Sequence, residues 1–293
     1  MANSVNNVNK KKKSQAALVW RRLKKNKMAI LGLVILSLII FFAVFADFFF
    51  DYETMVIQQS AALRLKPPSA EHWLGTDEVG RDILARIVHG ARISLPVAFV
   101  TIAVATVVGG LLGAISGYGS KRVDNIIMRI MDVFLAIPSI LLSIALVAAL
   151  GTSMTNMILA ISISNIPPFA RIVRSAVLTI KNEEYIEAAR AIGAGDKRII
   201  LKHILPNCMG PIIVQATLSI AGSILAIASL SFIGLGIQSP MTSWGQLAQL
   251  GSSEFRIQPY QLLIPGAFIS VTILAFYLFG NCLRDALDPH QMD

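Results

Sequence analysis

Charge is scarce in this chain: 15% of its 293 residues are Asp, Glu, Lys or Arg, against 55% that are hydrophobic. A soluble domain carries about 25% charged residues. No polar surface can be drawn around so much apolar side chain, so a soluble globular protein is excluded and the chain must meet lipid. Cysteine is nearly absent. Cys208 and Cys282, each beside an apolar run, make neither a disulfide framework nor a zinc site. The four histidines (His72, His89, His203 and His290) are scattered across loops. They form no ligand set, and no metal site is expected. The sequence also lacks the Gly-rich lysine loop that cradles phosphates, His-Glu-x-x-His and Gly-x-Ser-x-Gly. Without a nucleophile, base or metal arrangement, no catalytic role is expected.

What is present is a series of six apolar runs, at 28–46, 93–115, 126–150, 154–170, 211–234 and 262–282. None alternates with period two, which argues against a barrel. A helix is the other backbone that satisfies its own hydrogen bonds in lipid, and roughly 20 residues make one span. The expectation is therefore an all-α integral membrane protein with six transmembrane helices. The first run outlasts the roughly 7–15 apolar residues of a signal peptide. It reads as a retained anchor, although Val44, Phe45 and Ala46 resemble a cleavage site. The segments follow as a basic tail at 1–27, a first transmembrane helix at 28–50 and a hydrophilic loop at 51–92. A five-helix core occupies 93–283, with a loop at 171–207, and a short tail occupies 284–293. At 81–95, Ile83, Leu84, Ile87 and Val88 recur at helical spacing between Arg81, Arg86 and Arg92. That pattern suits an amphipathic helix on a membrane face.

Most of the 26 lysines and arginines fall in the tail, in the loops at 117–129 and 171–207, and in the C-terminal segment. The positive-inside rule then places both termini in the cytoplasm and the 51–92 loop outside. This also accounts for the net charge of +9 without nucleic acid.

Polar residues within the runs allow paired readings. Gln215, Ser219 and Ser223 are each four apart, so they share one helix face. They either line a translocation path or hold helices together by hydrogen bonds. Ser162 and Asn165 have the same two readings. Arg129 and Asp132 are spaced for an ion pair on one helix, and Asp47 reads as interfacial. Gly109, Gly110, Gly113 and Gly117 favour close helix packing. Pro138 is expected to kink its helix, and Pro167 and Pro168 to break or end theirs. Trp244 and Tyr260 fit either an outer interfacial belt or a surface for a binding protein.

The most specific feature lies at 182–206. Asn182 is placed to cap a helix whose first turn carries Glu183 and Glu184. Ala188, Ala189 and Ala191 favour that helix, and Gly193 is suited to the left-handed residue that ends it. Asp196 is placed to cap a second helix, and Pro206 to turn the chain into the next span. Two short helices with small residues make either an ordinary hairpin or a knob for a partner's groove, with Glu187 and Arg190 fixing register in the second case.

This loop resembles the EAA loop of ABC-importer permeases: Glu-Ala-Ala, three residues, Gly, nine residues, then Ile-x-Leu-Pro. Glu187, Ala188, Ala189, Gly193, Leu205 and Pro206 match in spacing. His203 replaces the usual Ile, as in the peptide and nickel branch. The segments beginning Trp73-Leu-Gly-Thr-Asp, Gly90-Ala-Arg-Ile-Ser-Leu, Leu230-Ser-Phe-Ile-Gly-Leu-Gly and Leu283-Arg-Asp-Ala-Leu-Asp-Pro are similar to the C-type permeases of dipeptide, oligopeptide and nickel importers. The resemblance implies a type I importer permease fold with cytoplasmic coupling helices, in a prokaryotic inner or plasma membrane. It implies that Glu187, Ala188, Ala189, Arg190, Gly193, His203, Leu205 and Pro206 meet an ATPase subunit. The implied partners are a homologous second permease, two ATP-binding subunits that carry the ATP and magnesium, an extracytoplasmic solute-binding protein and the bilayer. The implied cargo is a peptide, with nickel or a metal chelate as the alternative. An ion-driven secondary transporter is the rival from another class; it calls for inverted repeats and mid-membrane charges, and neither is evident.

Overall fold

The computed structural model describes residues 15–287. The expectations for Lys10 to Lys13, His290 and the last residues of the C-terminal segment lie outside the described residues. Regular structure is helical throughout the described residues, apart from one isolated β-bridge between Thr76 and Asp82. The chain opens with α1 (Gln15–Leu23), α2 (Lys27–Val44) and the single turn α3 (Ala46–Phe49). Irregular chain with two helical turns leads to α4 (Ile83–Tyr118), α5 (Lys121–Leu135), α6 (Ser139–Leu150) and α7 (Met154–Ile180). Short helices α8 (Glu184–Ala191), α9 (Asp196–Ile199) and α10 (Leu205–Asn207) precede α11 (Met209–Phe232), α12 (Trp244–Ser253) and α13 (Tyr260–Leu287).

Five helices (α2, α4, α7, α11 and α13) are long and apolar enough to cross a membrane, and α5 with α6, bent by 87° at their junction, is a broken span or a re-entrant loop. The expected kink at Pro138 is thus a full corner. The residue before a proline is driven out of the helical region, and α6 restarts with Pro138 as its N-cap. Starts elsewhere are fixed by small polar side chains that accept a backbone N–H. Asn26 caps α2, Asp82 caps α4, Ser153 caps α7 and Ser243 caps α12.

The central pair is α4 and α7, joined along their length by glycine. A Cβ on Gly109 would stand 2.6 Å from the Ile166 carbonyl oxygen, and one on Gly117 would stand 2.9 Å from that of Arg174. Gly113 meets Ala170 in the same way. This every-fourth-residue contact allows backbone-to-backbone packing where lipid gives no hydrophobic drive for helix association. Around this pair, α11 packs on both helices, α13 on α11, and α2 on α13.

Several expectations change here. α4 has 36 residues, about 54 Å at 1.5 Å per residue, and outruns a hydrocarbon core of roughly 30 Å. The amphipathic stretch at 81–95 is the protruding start of α4 and not a helix lying on the membrane. Its Arg86 is 1% exposed because the preceding loop folds over it. Pro167 and Pro168 do not end α7, which runs through them. Clamped against the glycine face of α4, where Gly109 and Gly113 meet the carbonyls of Ile166 and Ala170, the helix survives two missing donors. Asp132 pairs with Arg171 of α7 at 2.6 Å and not with Arg129, since α5 packs on α7. Trp244 is no belt residue. It is 1% exposed, and its indole N–H donates to the Ile87 carbonyl at 2.9 Å. His89 lies in α4 and not in a loop, buried, with Nε2 2.9 Å from the Phe50 carbonyl oxygen.

Candidate functional site

The segment 182–207 is held on one face and open on the other. Ile186 and Ala189 of α8, Ile199 of α9 and Ile204 are buried against Ala114 of α4, Val173 and Val177 of α7, and Ile212 of α11. Their spacing turns the opposite side outward. Glu187, Ala188 and Arg190 are exposed, and Ile192 is 87% exposed. An isoleucine that bare is an apolar group without cover among the described residues. Gly193 ends α8 at φ +84°, a conformation that a side chain disfavours.

The local details differ from the sequence reading. Glu183, not Asn182, is the residue before the first turn of α8, and its side chain makes no cap hydrogen bond. Asp196 is the first residue of α9 and does not cap it. Its Oδ1 instead accepts from the Tyr118 hydroxyl at 2.7 Å. The Arg190 guanidinium stacks 5.2 Å from the Tyr118 ring centroid and donates from Nε to the same hydroxyl at 3.3 Å. One tyrosine at the end of α4 therefore holds both short helices. Partial burial, with Glu183 nearby, pushes the Tyr185 phenol above its ordinary range and keeps it neutral. A π-helical turn at Ile200–Ile204 carries the chain into α10, where Pro206 sits in the first turn. Proline is tolerated there, because that N–H has no partner in the helix. His203 and Leu205 are half-buried and Pro206 is exposed.

A second set of contacts locks the helices under this segment. Asp124 of α5 receives Arg174 of α7 at 2.5 and 2.6 Å and the Ser116 hydroxyl of α4 at 2.5 Å. Lys181 donates to the Gly117 carbonyl at 3.0 Å. The sequence does not signal the Arg174–Asp124 and Lys181–Gly117 pairings, whose partners lie 50 and 64 positions apart.

The path candidates are not brought into one cluster by their hydrogen bonds. Gln215 donates to Ser219 at 3.0 Å. Ser223 is buried with its hydroxyl unpaired. Ser162 donates to the carbonyls of Thr101 and Ile158 at 3.1 and 2.6 Å, tying α7 to α4, and Asn165 bonds within α7.

At the opposite end of the molecule, sequence reasoning missed a buried ionic knot. Asp77 receives Arg81 Nε at 2.8 Å and Arg86 at 2.5 Å. It also accepts the backbone N–H groups of Val79 and Arg81. Next to it, His72 Nδ1 lies 2.8 Å from Asp82. The signal was present in the sequence as Asp77, Arg81 and Arg86, which are four and nine apart. Among the described residues, no group of His, Cys, Asp or Glu is arranged to hold a metal.

Residues 109–292 match the family model of the binding-protein-dependent transport system inner membrane component, and residues 14–68 match the N-terminal transmembrane domain of oligopeptide transport permease C. The chain is 47% identical to a dipeptide transport system permease protein of Alkalihalophilus pseudofirmus, covering 92% of this chain and 88% of the relative. It is 42% identical to an oligopeptide transport system permease protein of Bacillus subtilis, covering 92% and 87%. It is also 42% identical to a glutathione transport system permease protein of Pectobacterium atrosepticum, covering 92% and 89%. Among solved structures, the MetNI methionine ABC transporter in an inward-facing conformation matches with a TM-score of 0.56 at 20% identity, covering 70% of this chain and 96% of that one. At that identity the likeness speaks to fold alone.

Proposed function

The chain belongs to the binding-protein-dependent transport system inner membrane components, the permease subunits of ABC importers, and on that premise we propose that it forms half of a translocation path for short peptides. It is a multi-pass membrane protein with no catalytic role of its own. The observation that carries the cargo is the shared naming of its relatives for dipeptides, oligopeptides and glutathione at 41–47% identity over nine-tenths of the chain. No observation favours nickel or a metal chelate. Membership of this family displaces the ion-driven alternative.

In this reading the end bearing residues 182–207 and both termini face the cytoplasm, and the Asp77 knot faces outside. The exposed side of α8 and the turn at Gly193 enter a groove on an ATP-binding subunit. Glu187, Ala188, Ala189, Arg190, Gly193, His203, Leu205 and Pro206 make or support that contact. Two such subunits hold the ATP and magnesium, and a second permease completes the pore. A solute-binding protein delivers the peptide. Closure of the ATPases pushes on α8 to α10, and the buried anchors pass the movement to α4, α7 and α11. Gln215, Ser219 and Ser223 of α11, with Ser162 and Asn165 of α7, are the candidates for contact with cargo.

The test is paired substitution, Glu187→Lys and Gly193→Val. At Gly193 nothing lies within 4 Å of an added Cβ, but the left-handed backbone makes a side chain costly by roughly 1–2 kcal/mol. Both variants are expected to reach the membrane in normal amount, to lose co-purification with the ATPases, and to lower peptide uptake at least tenfold. Normal uptake in both rejects the coupling role.

A further inference from the structure

The N-terminal end of the described chain carries a feature that coupling and translocation do not use. α1 ends in a sharp turn before α2: Lys25 and Asn26 donate backbone N–H groups to Arg22 and Leu23, and Asn26 then caps α2. The two helices are therefore separate, and α1 is not an extension of the span. Its inner side is fastened. Leu23 is buried with Ala29 of α2 and with Cys282, Leu283 and Ala286 of α13. Arg22 reaches the Ala286 carbonyl oxygen at 3.4 Å. Its other side is cationic. Arg21, Lys24, Lys25 and Lys27 are exposed, and none forms an ion pair with a carboxylate among the described residues. No acidic residue lies in α1. Trp20 is 50% exposed, with the Lys24 ammonium 5.3 Å from its ring centroid. An amphipathic tryptophan beside unpaired cations, immediately before a span, has the chemistry of the headgroup layer.

We propose that α1 and the turn after it form a docking strip for anionic phospholipids of the inner leaflet, with Trp20 at the level of the headgroups and Arg21, Lys24, Lys25 and Lys27 on the phosphates. The proposal rests on the cytoplasmic placement of this end. An acidic protein surface would also attract four cations, but the exposed tryptophan and the adjoining span place the strip at the bilayer. The strip is fixed to the last turns of α13, which packs along α11.

The experiment uses the whole transporter complex in vesicles of phosphatidylcholine containing phosphatidylglycerol. Bromine is placed on the acyl chains of one lipid or of the other. The Trp20 signal is the difference between the protein and W20F. Brominated phosphatidylglycerol is expected to quench it at least twofold more than brominated phosphatidylcholine at equal mole fraction. The preference should fade at about 0.5 M salt, where screening acts over roughly 4 Å. Removing every cation can reverse insertion, so the variant is the double R21Q/K25Q, in which the preference should fall by at least half. Equal quenching by the two lipids in the unaltered protein overturns the proposal, as does an unchanged preference in R21Q/K25Q. Selectivity for an acidic protein partner without lipid preference also overturns it. Labelling of Lys25→Cys by an impermeant reagent from outside would reject the cytoplasmic placement, a result separable from the lipid preference.

Discussion

The two ends of α4 are built on opposite plans. At the end that the proposed orientation turns outward, the outer end, the chain folds over the helix and buries charge: Asp77, Arg81 and Arg86 are each under 10% exposed. At the other, inner end, segment 182–207 buries only the aliphatic side chains of Ile186, Ala189, Ile199 and Ile204 and leaves Glu187, Arg190 and Ile192 in the open. Taking ions out of water is expensive unless each meets its counter-ion. In this knot one carboxylate serves two guanidinium groups, and the buried Arg86 Nε has no hydrogen-bond partner, so the arrangement depends on Asp77. Segment 182–207 is held instead by a few aliphatic contacts, which are non-directional, and by one tyrosine. Under the proposed function, the first end serves as an anchor and the second as a moving coupling.

The largest effect is expected from Asp77→Ala. It leaves two guanidinium groups buried without their acceptor and should cost about 3–5 kcal/mol, read as loss of folded protein in detergent thermal denaturation. Replacing all three with apolar residues, Asp77→Leu with Arg81→Met and Arg86→Met, should recover much of that stability. If Asp77→Ala leaves the melting temperature unchanged, the outer end is no anchor. Next in size is Gly113→Val, which drives a side chain into the Ala170 carbonyl on α7. Overpacking of this kind costs roughly 1–3 kcal/mol. Because α4 and α7 carry both ends, this change should lower thermal stability and uptake together. A variant that loses uptake at full stability would show the glycine face to be a moving surface.

The sequence disclosed these two ends unequally. Long apolar runs are legible because lipid demands them, and the family pattern at Glu187 to Pro206 was legible because its spacing is strict. Gly193 was readable as a left-handed stop because little else tolerates that backbone. What could not be read was tertiary pairing. Asp132 was matched to its near neighbour Arg129, yet it reaches Arg171 across to α7. By residue type Trp244 fits a belt or a surface for a binding protein, yet its indole N–H finds a carbonyl deep in the bundle. Arg86 was placed at a membrane face because helical periodicity reports a face and not what covers it. The prolines of α7 misled for a related reason: their rule describes an isolated helix, and α4 supplies the support that the rule omits.

The smallest change offers the finest distinction. Tyr118→Phe keeps the ring under Arg190 but removes the hydroxyl that donates to Asp196 and accepts from Arg190. The hydroxyl is near the surface, where the loss of one such hydrogen bond costs about 0.5–1.5 kcal/mol. Melting should therefore shift by only a few degrees. If the inner end works as a coupling, its effect lies elsewhere: α8 and α9 lose their common tie, and ATP hydrolysis should persist while uptake per ATP falls. If the inner end is as rigid as the outer one, the aliphatic anchors alone hold it, and uptake per ATP stays unchanged. Measuring hydrolysis and uptake on the same vesicles separates the two.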